Sequence, residues 1–122
     1  MLRIGLMGCG TVAGYGHLPA IKATPNLDLI SLFEPDPVRG PKAQENFGGR
    51  LFTDADAFFQ SGIDAVAVTS PAPFHVDNVL MAAKYGKHVL CEKPLAMTDE
   101  DGGRVCSQAC CRLALLLAGK RR

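Results

Sequence analysis

Lys93 stands between Glu92 and Pro94, directly after the apolar run Val89-Leu90-Cys91. A lysine at the mouth of a buried strand can donate a hydrogen bond to a substrate oxygen. It can also carry a proton while a carbon centre gains or loses hydride. The plainer role is a surface ion pair with Glu92, which is worth little. Pro94 weighs against that role, because proline fixes the backbone beside the lysine. Cys91 adjoins the pair, but as the last apolar residue of a strand it reads as packed and inert rather than reactive.

Gly8-Cys9-Gly10-Thr11-Val12-Ala13 has the form G-x-G-x-x-A between an apolar run and a helical stretch. The first glycine permits a tight turn, the second lets backbone approach a pyrophosphate, and alanine allows close helix–strand packing. The helix N-terminus beyond it offers free N–H groups to phosphate. Glu34 closes the second apolar run, about twenty residues beyond the turn, where a carboxylate can accept from both hydroxyls of an adenosine ribose. The alternative is a solvated acid in a Pro-Asp-Pro turn. A carboxylate there repels a 2′-phosphate, so NAD is expected over NADP, with Arg39 moderating the preference. After the fourth apolar run come Thr69, Ser70, Pro71, Ala72, Pro73, Phe74 and His75. This stiff loop suits the nicotinamide half of a dinucleotide. His75 either faces that ligand or opens the next helix.

The elements that must position these residues alternate in kind. Strands are expected at Leu2–Met7, Leu27–Phe33, Arg50–Thr53, Ile63–Val68, Lys87–Cys91 and Leu113–Ala118. Helices are expected at Thr11–Ala23, Val38–Phe47, Asp54–Gln60 with Asp54 as cap, and Phe74–Tyr85 stopped by Gly86. A further helix begins at Thr98, with Asp101 as its capping partner and Val105 and Ala109 on its inner face. Near-continuous apolar strands alternating with helices demand parallel pairing buried on both faces. The fold expected is an α/β, Rossmann-type doubly wound sheet of six strands in order 3-2-1-4-5-6.

The 122 residues fit one domain, 1–122, with no second domain in this chain; 48% are hydrophobic and 20% charged. The formal charge of +1 gives no field that would favour nucleic acid or an acidic membrane. Five cysteines include no C-x-x-C pair, and no histidine follows His88 to complete a zinc set with Cys106, Cys110 and Cys111. No metal site is expected, and free thiols suit the cytoplasm. Glycines interrupt the apolar N-terminus, unlike a signal peptide. The run Leu113–Ala118 falls far short of the roughly 20 residues of a membrane span.

The segments "GLMGCGTVAGYGHLPAI", "LFEPDP", "AVAVTSPAPFH" and "GKHVLCEKPLAMT" together resemble the first domain of the Gfo/Idh/MocA oxidoreductases, from about Leu2 to Gly119. The resemblance implies that Lys93 is catalytic and that Glu92 lies near the nicotinamide ribose. It also implies that Thr69, Ser70, Pro71 and His75 line the cofactor. Substrates in that family are usually sugars, cyclitols or related polyols, held largely by a second domain. The chain is therefore expected to be a truncated family member that binds NAD weakly. It is expected to turn over no polyol alone, since substrate positioning can supply on the order of 7–11 kcal/mol of such a barrier. The alternatives are a non-catalytic dinucleotide-binding module and an inert fragment of a decayed gene.

Overall fold

Six strands form in the computed structural model, which describes residues 2–10, 13–92 and 113–116. They are β1 (Leu2–Met7), β2 (Leu27–Phe33), β3 (Arg50–Phe52), β4 (Ala65–Val68), β5 (His88–Glu92) and β6 (Leu113–Leu116). All pair in parallel, in the order β3-β2-β1-β4-β5-β6, as the alternation of elements requires. Among the described residues the α-helices between them are α1 (Leu18–Ala23), α2 (Arg39–Phe47), α3 (Ala55–Phe59) and α4 (His75–Lys84).

The period of two along β1 sorts its side chains onto two cores. Ile4 and Leu6 join Leu18, Ile21, Leu29, Leu32 and Ala43 beneath α1 and α2. Met7 joins Phe58, Val66, Val68, Val76 and Val79 beneath α3 and α4. Gly5 faces this second core because Phe58 needs its space. A Cβ on Gly5 would stand 2.7 Å from the Phe58 ring. Phe58 and Phe59 are fully buried and meet edge to face at 5.1 Å, and each such burial stabilises by about 1.5–3 kcal/mol.

Local chemistry sets the element ends. Asp54 caps α3 by accepting from the Ala57 N–H at 3.3 Å. Gly86, at φ +72°, ends the chain's passage out of α4, the stop expected of it. β4 begins at Ala65 rather than Ile63, and the Asp64 ahead of it bonds to Arg3 through both backbone and side chain. The Arg3 N–H and guanidinium both donate to the Asp64 carboxylate at 2.9 Å. The first helical stretch departs most from expectation. Ala13–His17 winds as a π-helical turn before α1, a local widening at a segment holding Gly14 and Gly16. Thr11 and Val12, where that helix was expected to start, lie outside the described residues, as does the helix expected from Thr98. β6 covers the first part of the expected run Leu113–Ala118.

Candidate dinucleotide site

Parallel register brings the strand ends to one edge. Met7 pairs with Phe33 on one side and Val68 on the other, and Val68 pairs with Cys91. The residues that follow, Gly8, Glu34 and Thr69, therefore leave the sheet side by side, next to Glu92 at the end of β5. The ladder runs one step further through Gly8 N–H to Phe33 O at 2.9 Å and Thr69 N–H to Met7 O at 2.9 Å.

Gly8 is where the turn depends on glycine. Its φ is +103°, and a Cβ there would stand 2.4 Å from the backbone of Ser70. The glycine turn and the loop after β4 thus touch main chain to main chain. Thr69 seals the contact by donating from Oγ1 to Gly8 O at 2.7 Å. No described atom lies within 4 Å of where a Cβ on Gly10 or Gly14 would be. Backbone there is open to a ligand, which is the fit a pyrophosphate requires.

Glu34 is 5% exposed. Its Oε1 accepts from the Cys9 N–H at 2.8 Å, and its Oε2 accepts from the Asp36 N–H at 3.1 Å and Arg39 Nη2 at 3.4 Å. The acid expected to read the ribose therefore also holds the glycine turn in shape. Burial, and then the Glu34 charge, push the Cys9 thiol up to about 12, so it carries no thiolate at neutral pH. Asp36 is held below the ordinary carboxylate range by N–H groups of Arg39 and Val38. Beside this cluster a cleft of about 440 Å³ opens between α1 and α2, lined by Gly10, Gly14, Arg39, Lys42 and Asn46 among others.

At the other end His75 is 2% exposed and forms the first residue of α4. Its Nε2 lies 2.6 Å from Ser70 O, and since a carbonyl only accepts, Nε2 donates. Ser70 Oγ donates to Asn78 Oδ1 at 2.6 Å. Of the two readings of His75, the geometry is that of a helix-opening residue that pins the Ser70 loop. Pro71 is exposed on that loop.

Of the residues singled out from sequence, Gly8, Gly10, Glu34, Thr69, Ser70, Pro71 and His75 meet at this edge, and Glu92 ends the neighbouring strand. Thr11, Val12 and Lys93 lie outside the described residues. Lys42, Asn46 and Asn78 were not anticipated. Arg39, Lys42, Ala43 and Asn46 recur at helical spacing, so a cleft-facing stripe was present in the sequence to be read.

A parallel doubly wound sheet with a glycine turn, an acid at the end of the second strand and a further loop converging on one edge defines a dinucleotide-binding Rossmann domain. Residues 2–115 match the family model described as "Oxidoreductase family, NAD-binding Rossmann fold", and the chain belongs to this Gfo/Idh/MocA family. It is 40% identical over 103 residues to the 1,5-anhydro-D-fructose reductase of Ensifer adhaerens, covering 83% of this chain and 31% of that protein. The D-glucoside 3-dehydrogenase of Escherichia coli K12 is 32% identical, with 88% and 31% covered. Among solved structures, KijD10, a 3-ketoreductase from Actinomadura kijaniata in complex with NADP and TDP-benzene, superposes with a TM-score of 0.85. It is 32% identical, with 94% of this chain and 36% of that one covered. The WlbA dehydrogenase from Chromobacterium violaceum, in complex with NADH and UDP-GlcNAcA, superposes with a TM-score of 0.88 at 28% identity, with 94% and 34% covered. The chain spans about a third of the length of these relatives. Among the described residues, no helix is long and apolar enough to cross a membrane.

Proposed function

We propose that the chain holds a nicotinamide dinucleotide along this sheet edge and forms the cofactor half of an oxidoreductase acting on a sugar, cyclitol or similar polyol in the cytoplasm. Gly8, Gly10, Thr11 and Val12 would hold the pyrophosphate and Glu34 the adenosine ribose. Thr69, Ser70 and Pro71 would line the nicotinamide half, with His75 fixing their loop and Glu92 near the second ribose. The bound nicotinamide would supply or accept hydride. Lys93, the residue after β5, would hold the substrate oxygen and give or take its proton as that carbon changes oxidation state.

The observation that carries this reading is the contact between Gly8 and Ser70. It draws the two halves of a dinucleotide-sized edge together and leaves no room for a side chain at the turn. The sugar-active relatives support the substrate class. Calorimetric titration of the chain with NAD tests the cofactor role. Saturable heat is expected, and its absence at millimolar NAD overturns the reading. NAD reduction by the chain with a family substrate domain supplied in trans, followed optically against sugars and inositols with Lys93→Ala in parallel, tests the proton role. Turnover that survives loss of the lysine overturns it.

A further inference from the structure

The loop after β4 spends its side-chain donors inside the protein. Thr69 gives its N–H to Met7 O at 2.9 Å and its hydroxyl proton to Gly8 O at 2.7 Å. Ser70 gives its hydroxyl proton to Asn78 Oδ1 at 2.6 Å, and an amide oxygen only accepts. Pro71 has no N–H to give. A hydroxyl that has donated can still accept, so lone pairs are what Thr69 and Ser70 keep for a ligand.

His75 and Asn78 stand three residues apart on α4, so they share a helix face, and both reach back to Ser70. They do different things there. Nε2 of the buried His75 holds the main-chain carbonyl at 2.6 Å and fixes where the loop lies. Asn78, half-buried, holds the side-chain hydroxyl and fixes which way its proton points. Val76, Val79 and Ala82 already supply the apolar face of α4, so packing asks for no amide at position 78.

We propose that Asn78 is a positioning residue. By taking the Ser70 proton it makes Ser70 Oγ an acceptor for a hydrogen-bond donor on the nicotinamide half of the cofactor, the carboxamide N–H or a ribose hydroxyl. This role rests on the cofactor reading above. Calorimetry compares NAD with 3-acetylpyridine adenine dinucleotide, in which a methyl ketone replaces the carboxamide, and with analogues lacking the 2′- or 3′-hydroxyl of the nicotinamide ribose. The unmutated chain is expected to bind one analogue about threefold to tenfold more weakly than NAD, the effect of one hydrogen bond. The analogue that loses affinity identifies the donor. In Asn78→Ala and in Ser70→Ala that penalty is expected to fall below about twofold. Asn78→Asp, still an acceptor for the Ser70 proton, is expected to keep it. A residue that only packs would weaken every ligand alike and leave the ratios where they were. Binding of NAD with no penalty for any analogue overturns the proposal, as does a penalty that survives Asn78→Ala. A chain that does not bind NAD overturns the cofactor reading and the role of Asn78 with it.

Discussion

At the end of the site proposed for the adenosine, Glu34, Asp36, Arg39 and Lys42 stand beside an open cleft. At the end proposed for the nicotinamide, Thr69 donates to Gly8, Ser70 to Asn78 and His75 to Ser70, in hydrogen bonds of 2.6–2.7 Å. Charges act over a screening distance of about 8 Å at physiological salt, whereas neutral hydrogen bonds act only in contact and are indifferent to salt. One end thus gathers charge and the other holds a loop in one shape. Gly8 is common to both, because its neighbour Cys9 donates to Glu34 while its own carbonyl accepts from Thr69.

Breaking the shared point should produce the largest effect. Gly8→Ala places a methyl group 2.4 Å from Ser70 backbone at a φ of +103°. Left-handed strain and overpacking together should cost about 3 kcal/mol or more. Urea unfolding should show that loss, and NAD binding should disappear at both ends of the cofactor.

Single changes at each end sharpen the contrast. His75→Ala removes a buried side chain and the donor it gives the partly buried Ser70 carbonyl, and should cost about 1–3 kcal/mol of stability, with little dependence on salt. Glu34→Ser instead should shift the ratio of NADP to NAD affinity toward NADP by about threefold to tenfold, an effect that shrinks as salt rises. An equal response to salt in both variants would erase the distinction between the two ends.

The smallest effect lies away from the site. Arg3, chiefly through its side-chain hydrogen bonds, lowers the Asp64 carboxyl to about 2. Because the folded value is depressed, this clamp contributes stability above the ordinary carboxylate value, near pH 4. That contribution is lost as pH falls from about 4 to about 2. The urea midpoint of the unmutated chain should therefore fall more steeply across that window than that of Asp64→Asn.

The fold was legible because the buried strands are nearly unbroken apolar runs, two of them closed by glycine or an acid, at Met7-Gly8 and Phe33-Glu34. Glu34 could be found by its distance from the turn. Its bond to the Cys9 N–H could not, since no sequence pattern records which backbone group a side chain reaches. Nor did spacing reveal that Arg3 and Asp64 would meet across the starts of β1 and β4. The π-helical entry to α1 was hidden for another reason: apolar periodicity over so few residues does not separate one helical pitch from another. His75 was legible only as two alternatives, and the structure places it as the first residue of α4.

The strand order also carries a consequence for how the chain is made. Of the described strands β1 leaves the ribosome before the others, yet it occupies the middle of the sheet. One of its edges meets β2 early, while the other waits for β4 and the Thr69 contact, 62 residues downstream. At the usual rate of about 5–20 residues per second, that edge stays unpaired for roughly 3 to 12 seconds of synthesis. Over that interval Ile4-Gly5-Leu6-Met7 presents a bare row of strand donors and acceptors to any passing strand. Gly5, required in the finished fold by the Phe58 ring, also makes this waiting edge a weaker template for the wrong partner.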